Sequence, residues 1–146
     1  MSKFGFDKIA REMPAMKREA LKLLSVETQQ YFGESFSKQG LGNEKWAEVK
    51  RRTSPYSSMW DKTRPILYGK SGQLRAHTLD SIESINDHQF VLVNPMSYAV
   101  LQNEGGENGQ GAYVPARPFM KQTQELTHMQ LETLNAVTGK IWHLRF

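Results

Sequence analysis

Apolar residues recur at helical spacing in two long stretches of this chain and at sheet-like density in one shorter stretch. From Pro14 to about Phe36, Met16, Ala20, Leu23 or Leu24, Tyr31, Phe32 and Phe36 fall on one face, while Lys17, Arg18, Lys22, Glu27 and Glu34 occupy the others. The pattern predicts a long amphipathic helix whose apolar face enters a core; membrane-surface helices carry a denser cationic face. Phe4, Phe6, Ile9 and Met13 form a short apolar series before it. Pro14 has no backbone N–H and is read as the opening of the main helix. Gly40-Leu41-Gly42-Asn43 ends the pattern.

Residues 40–71 read as an irregular basic-aromatic loop. Lys45, Lys50, Arg51, Arg52, Lys62, Arg64 and Lys70 face Glu44, Glu48 and Asp61, with Trp46, Tyr56, Trp60 and Tyr68 interleaved. Cations pair with phosphates and aromatic faces stack on bases, so Lys50, Arg51 and Arg52 are candidate nucleic-acid contacts. The competing and favoured reading is a solvated loop whose tryptophans dock it on the core, since no nucleic-acid motif accompanies the charges.

Leu74 to Val93 carries the β signal. Thr78, Ser81, Ile82 and Ile85 precede an Asn86-Asp87-His88 turn, and Phe90 to Val93 form an apolar run closed by Asn94-Pro95, which predicts an antiparallel hairpin. Ser97 is the expected N-cap of a short helix from Tyr98 to Asn103, stopped by Gly105 and Gly106. A mobile glycine-rich loop is expected over 104–112, then a strand at Ala112-Tyr113-Val114. Pro115 and Pro118 fix φ on either side of Ala116-Arg117. Pro118 is expected to start a last helix, about Phe119 to Val137, with Leu126, Met129, Leu134 and Val137 inward and Gly139 as its C-terminal cap. The tail Ile141–Phe146 alternates and is a candidate final strand or an arm for a neighbouring subunit.

These elements predict a single α+β domain over residues 1–146: a long N-terminal helix and a C-terminal helix packed on a small antiparallel β-sheet. At 146 residues the chain is long enough for one core. Cysteine is absent, which removes disulfides and thiolate ligands. No signal-peptide core and no membrane-length apolar run is present, so a soluble product that stays off membranes is expected. The net charge of +4 hides an asymmetry, because residues 1–75 hold 15 Lys/Arg against 8 Asp/Glu and residues 76–146 hold 4 against 7. Opposite charge in the two halves suits DNA contact on one face or head-to-tail association of identical subunits.

Chemistry is hard to place on this sequence. Gly69-Lys70-Ser71 imitates the end of a phosphate-binding loop, but the glycine needed five positions earlier is Arg64, followed by Pro65. His77, His88, His128 and His143 are scattered. Glu125-x-x-His128 occurs once, whereas di-iron bundles need two copies and two further carboxylates. There is no Gly-x-Ser-x-Gly elbow. The expectation is therefore no catalytic residue, no cofactor and no metal.

Taken in order, Trp46, then Ile66-Leu67-Tyr68-x-x-Ser71-Gly72-x-Leu74-Arg75, then Tyr98-Ala99 with Asn103-Glu104-Gly105-Gly106, then Val114-Pro115-Ala116-Arg117-Pro118-Phe119-Met120 resemble the phage virion morphogenesis proteins, also called tail completion proteins. The resemblance covers about residues 30–135 and is sharpest from Tyr98 to Met120. It implies a non-enzymatic structural protein of a Mu-like phage or prophage, made in the bacterial host cytoplasm and carried into the virion, that completes the tail or the head-tail junction. It further implies a homo-oligomeric ring, a hexamer by analogy with related neck components, joined to other tail or neck proteins. Tyr98, Gly105, Gly106, Pro115, Arg117, Pro118 and Phe119 are the candidate assembly residues. Arg117 reads as a donor fork aimed at a carboxylate or backbone carbonyl, or equally as one half of an internal salt bridge. The alternative function is a DNA-binding accessory module using segment 45–75.

Overall fold

A computed structural model describes residues 6–69 and 71–142; at 6–9 and 140–142 only the backbone is described. Phe4 and Lys70, the side chains of Phe6 and Ile9, and residues 143–146 with His143 lie outside the described set. Helix α1 (Phe6–Lys38) is followed by strands β1 (Gly40–Leu41) and β2 (Glu44–Lys45), then short helices α2 (Lys50–Thr53), α3 (Met59–Thr63) and α4 (Gln73–Leu79). Strands β3 (Ile82–Ile85) and β4 (Phe90–Leu92), helix α5 (Ala99–Glu104), strands β5 (Gly106–Glu107) and β6 (Tyr113–Val114), and helix α6 (Gln124–Trp142) complete the order.

The α+β architecture matches the pattern, with α1 and α6 packed along one another. The strands form three separate antiparallel ribbons, β1–β2, β3–β4 and β5–β6. Each is too short to fold alone and depends on the helices behind it. One apolar cluster joins Phe36, Trp46, Ile66, Leu74, Ala99 and Phe119, and a second joins Tyr31, Phe32, Leu41 and Leu126. Met120 packs against both and makes the core continuous.

Several boundaries differ from expectation for identifiable reasons. Helix α1 begins before Pro14, because φ near −65° is helical and only the bond to the Ala10 carbonyl is lost, at a position open to water. Of the paired candidates on its face, Leu24 is buried and Leu23 is 44% exposed. The segment 73–79 is helix rather than strand. Leu74 and Thr78, one turn apart, are both buried where α4 meets α1. The β signal is real only from Ile82 onward, where Ile82 pairs Leu92 and Ile85 pairs Phe90 across a turn closed by Asn86. Ser97 caps nothing; Tyr98 holds the N-cap position of α5 with no side-chain bond.

The last helix starts at Gln124, not at Pro118. Thr123 sets the start: its hydroxyl accepts from Leu126 N at 3.1 Å and lies 2.7 Å from the Tyr31 hydroxyl. Tyr31 also donates to Glu125 at 3.1 Å, so one capping residue ties the start of α6 to the last turns of α1. Burial, reinforced by Glu125, raises the Tyr31 pKa above its ordinary value. Thr123→Ala should cost about 1–2 kcal/mol in urea unfolding, the usual loss for an N-cap, with Thr123→Ser recovering most of it. Gly139 does not cap α6, which runs on to Trp142. Residues 141–142 are therefore helical, and the expected final strand does not begin at Ile141.

Candidate functional site

The segments that carry the family resemblance are distant in sequence, and the fold brings them to one junction beneath the C-terminal end of α1. Trp46 leaves β2 and inserts into the first core cluster, 6% exposed, edge-on to Phe36 with ring centroids 5.5 Å apart. Its indole N–H donates to the Pro118 carbonyl at 2.6 Å. Pro118 thus serves as an acceptor as well as a turn residue. Phe119, 1% exposed, packs on Phe36 at 5.4 Å between centroids.

Arg117 is the centre of this junction. It is buried, its Nε donates to the Ala47 carbonyl at 2.9 Å, and its Nη2 donates to the Glu48 carbonyl at 3.1 Å. Its own N–H donates to Gln102 O at 2.8 Å. Burial pulls the guanidinium pKa below its usual value, opposed by the Glu48 charge, and it stays protonated at any working pH. Of the two readings left open by the sequence, the carbonyl-directed fork is the one realised, and its acceptors lie in its own chain.

Asn103 completes the arrangement, and sequence reasoning missed its role. Its Oδ1 accepts from Phe119 N and Met120 N, both at 2.9 Å, and its Nδ2 donates to Met120 O at 3.2 Å. The sequence offers Asn103 as the end of a helix and as part of the resemblance, without a bonding role. Gln39 plays a similar part: its side-chain carbonyl accepts from Arg52 at 2.9 Å and from Ile66 N at 3.1 Å, and its backbone carbonyl accepts from Trp46 N.

Gly105 turns the chain out of α5 with φ of 74° and ψ of −179°, a region that side chains avoid. A Cβ there would lie 2.6 Å from Ala116 N, against backbone that has nowhere to go. Gly105→Ala should destabilise the protein by about 1–3 kcal/mol, read as a lower urea midpoint. Gly106 has φ of 135° and pairs Val114. The expected glycine-rich loop is the β5–β6 hairpin. Asn108 organises its turn, with Oδ1 accepting from Gln110 N and Ala112 N. Pro115 is half-buried as the chain leaves β6, and Tyr98 is 41% exposed.

The expected irregular loop 40–71 is organised as a hairpin and two helical turns. Arg51 donates to the carbonyls of Arg64 and Pro65 at 2.9 and 2.8 Å, and Arg52 donates to Gln39 and Glu48. Burial, then the charges of Arg64 and Arg52, lower the Arg51 pKa. Two of the three candidate phosphate contacts are therefore committed to holding the 64–65 turn, while Lys50 stays exposed. Docking through tryptophan holds for Trp46 and fails for Trp60, which is 58% exposed.

At this junction Trp46, Asn103 and Arg117 hold backbone carbonyls and amides of distant segments. Beside it lies an open groove of about 500 Å³ bordered by Lys45, Trp46, Pro118 and Glu125. Among the described residues no group of three His, Asp or Glu side chains could hold a metal ion, and no helix is long and apolar enough to cross a membrane. No protein-family model, no curated protein and no solved structure matches this chain.

Proposed function

We propose that this protein is a non-enzymatic structural subunit of a tailed phage or prophage, acting in the host cytoplasm during assembly and then in the virion, where it completes the tail or the head-tail junction. The observation that carries the reading is the junction itself. Of the residues that carry the resemblance, Trp46, Ile66, Leu74, Ala99 and Phe119 share one core cluster, Trp46 donates to the Pro118 carbonyl, Asn103 accepts from Phe119 N, and Arg117 ties this turn to the carbonyls of Ala47 and Glu48. A set of residues that interlock in this way behaves as a fold signature, and its members are used for rigidity. In this role the subunit forms a homo-oligomeric ring that meets other tail or neck proteins.

The DNA-binding alternative loses support from the internal bonds of Arg51 and Arg52. The test is inactivation of the gene in the phage or prophage that encodes it, followed by electron microscopy of the lysate. Unjoined heads with incomplete or unattached tails, corrected by the gene supplied in trans, are expected. Normal virions at undiminished titre would overturn the proposal.

A further inference from the structure

Four large side chains stand exposed on the segment between α2 and α4: Tyr56 at 97%, Met59 at 76%, Trp60 at 58% and Tyr68 at 37%. The segment that carries them is ordered by local contacts. Trp60 and Tyr68 stack edge to face with centroids 6.5 Å apart, Ser58 caps α3 by accepting from Asp61 N at 3.1 Å, and Arg64 donates to Gly69 O at 2.8 Å. Isolated exposed apolar residues are ordinary, but a preorganised group containing Trp, Tyr and Met has the composition of an interface centre. The segment 50–68 carries five Lys/Arg against one Asp. Among the described residues Lys50 and Lys62 have no carboxylate partner.

A second surface has the same aromatic character and the opposite charge. Tyr113, 76% exposed, pairs Glu107 across the β5–β6 ladder, with Val100, 65% exposed, on the preceding α5 and Tyr98, 41% exposed, at its N-cap. Segment 98–113 holds Glu104 and Glu107 and no Lys or Arg. Both carboxylates are exposed, and among the described residues neither pairs with a cation.

We infer that these two surfaces bind each other between copies of this chain, the Tyr56–Met59–Trp60–Tyr68 face of one subunit receiving the Glu104–Glu107–Tyr113 face of the next. The contact is heterologous, so each subunit keeps one free face of each kind and association continues until a ring closes. Charge complementarity sets the direction and opposes pairing of like faces. A fully exposed aromatic side chain can bury about 150–250 Å², so Tyr56, with the parts of Trp60 and Tyr68 still open, supplies a share of the roughly 800 Å² per partner that a stable contact needs. The inference rests on the proposed assembly role and names the surface that role would use.

The test is sedimentation velocity on the full chain with Trp60→Ala and Glu107→Lys, two exposed positions at which unchanged circular dichroism verifies folding. Wild type should associate with rising concentration, and less so at high salt. Each variant should weaken association at least about tenfold, as loss of an interface anchor does. Mixed one to one, the two variants share a single intact interface and should form dimers and nothing larger. Lys62→Glu and Glu107→Lys combined in one chain should associate better than either alone. Wild type that associates but ignores both substitutions would overturn this interface while leaving the assembly role standing. Wild type that stays monomeric at every concentration would overturn the inference, and the virion phenotype would then judge the role independently. Quenching of Trp60 by single-stranded DNA without self-association would likewise overturn it and assign the patch to nucleic acid.

Discussion

Phe119→Ala should lower the free energy of unfolding by about 3–5 kcal/mol, the range for truncating a fully buried phenylalanine that cannot be refilled. The ring is 1% exposed, packs on Phe36 and shares its core cluster with Trp46 and Ile66, each anchored by a different element. Those elements are α1, the strand exit at β2 and the 64–68 turn, so the cavity cannot close by moving one of them. A loss of this size is a large part of the 5–15 kcal/mol that stabilises an ordinary domain. Urea unfolding followed by tryptophan fluorescence should show a much lower midpoint with little change in slope. Phe119→Leu should recover about half of the loss, because it restores most of the volume. A midpoint within experimental error of wild type for the alanine variant would mean that Phe119 is not in the core.

Arg117→Ala should cost about 3–4 kcal/mol, from two charge-assisted hydrogen bonds at about 1.5–2 kcal/mol each. The effect arises at the acceptors. Removing the guanidinium leaves the Ala47 and Glu48 carbonyls without their donor, and 46–49 loses its tie to 117–118. Arg117→Lys should recover little, since an ammonium is a single point donor and cannot present the planar fork that reaches two successive carbonyls. Hydrogen exchange should speed up locally at Trp46 N and Arg117 N, whose acceptors are Gln39 O and Gln102 O, ahead of the rest of the chain. Equal stability for Arg117→Lys and wild type would remove the fork argument. Both variants should also impair assembly, through folding. Neither can therefore report on an intersubunit contact, and exposed positions such as Trp60 and Glu107 are the informative ones for that purpose.

The two charge-bearing segments acquire different standing once their bonds are traced. Arg51 and Arg52 look like phosphate donors in a linear reading, because a run of Lys-Arg-Arg beside aromatics is what a nucleic-acid surface contains. Gln39 and the carbonyls of Arg64 and Pro65 compete for those donors and win. An arginine whose donors are held by carbonyls of its own chain has fewer left for a phosphate, whatever its neighbours in sequence. Lys50 and Lys62 have no such acceptor among the described residues.

By itself the sequence determined the α+β class, the two long helices, the 82–92 hairpin and the stop at Gly105-Gly106. These follow from local physics: apolar periodicity, turn residues and a glycine where φ must be positive. It misplaced what depends on partners far along the chain. The start of α6 moved to Thr123 because Tyr31 lies across from it. Segment 73–79 became a helix because α1 offered a surface for Leu74 and Thr78. Arg117, read along the chain, is either a donor fork aimed at a carboxylate or backbone carbonyl or one half of an internal salt bridge, and only the proximity of Ala47 and Glu48, some seventy residues away, decided it. Nothing in a linear pattern encodes which carbonyl a buried guanidinium will find. That choice is made when separate elements close on one core and bring distant donors and acceptors within reach of one another.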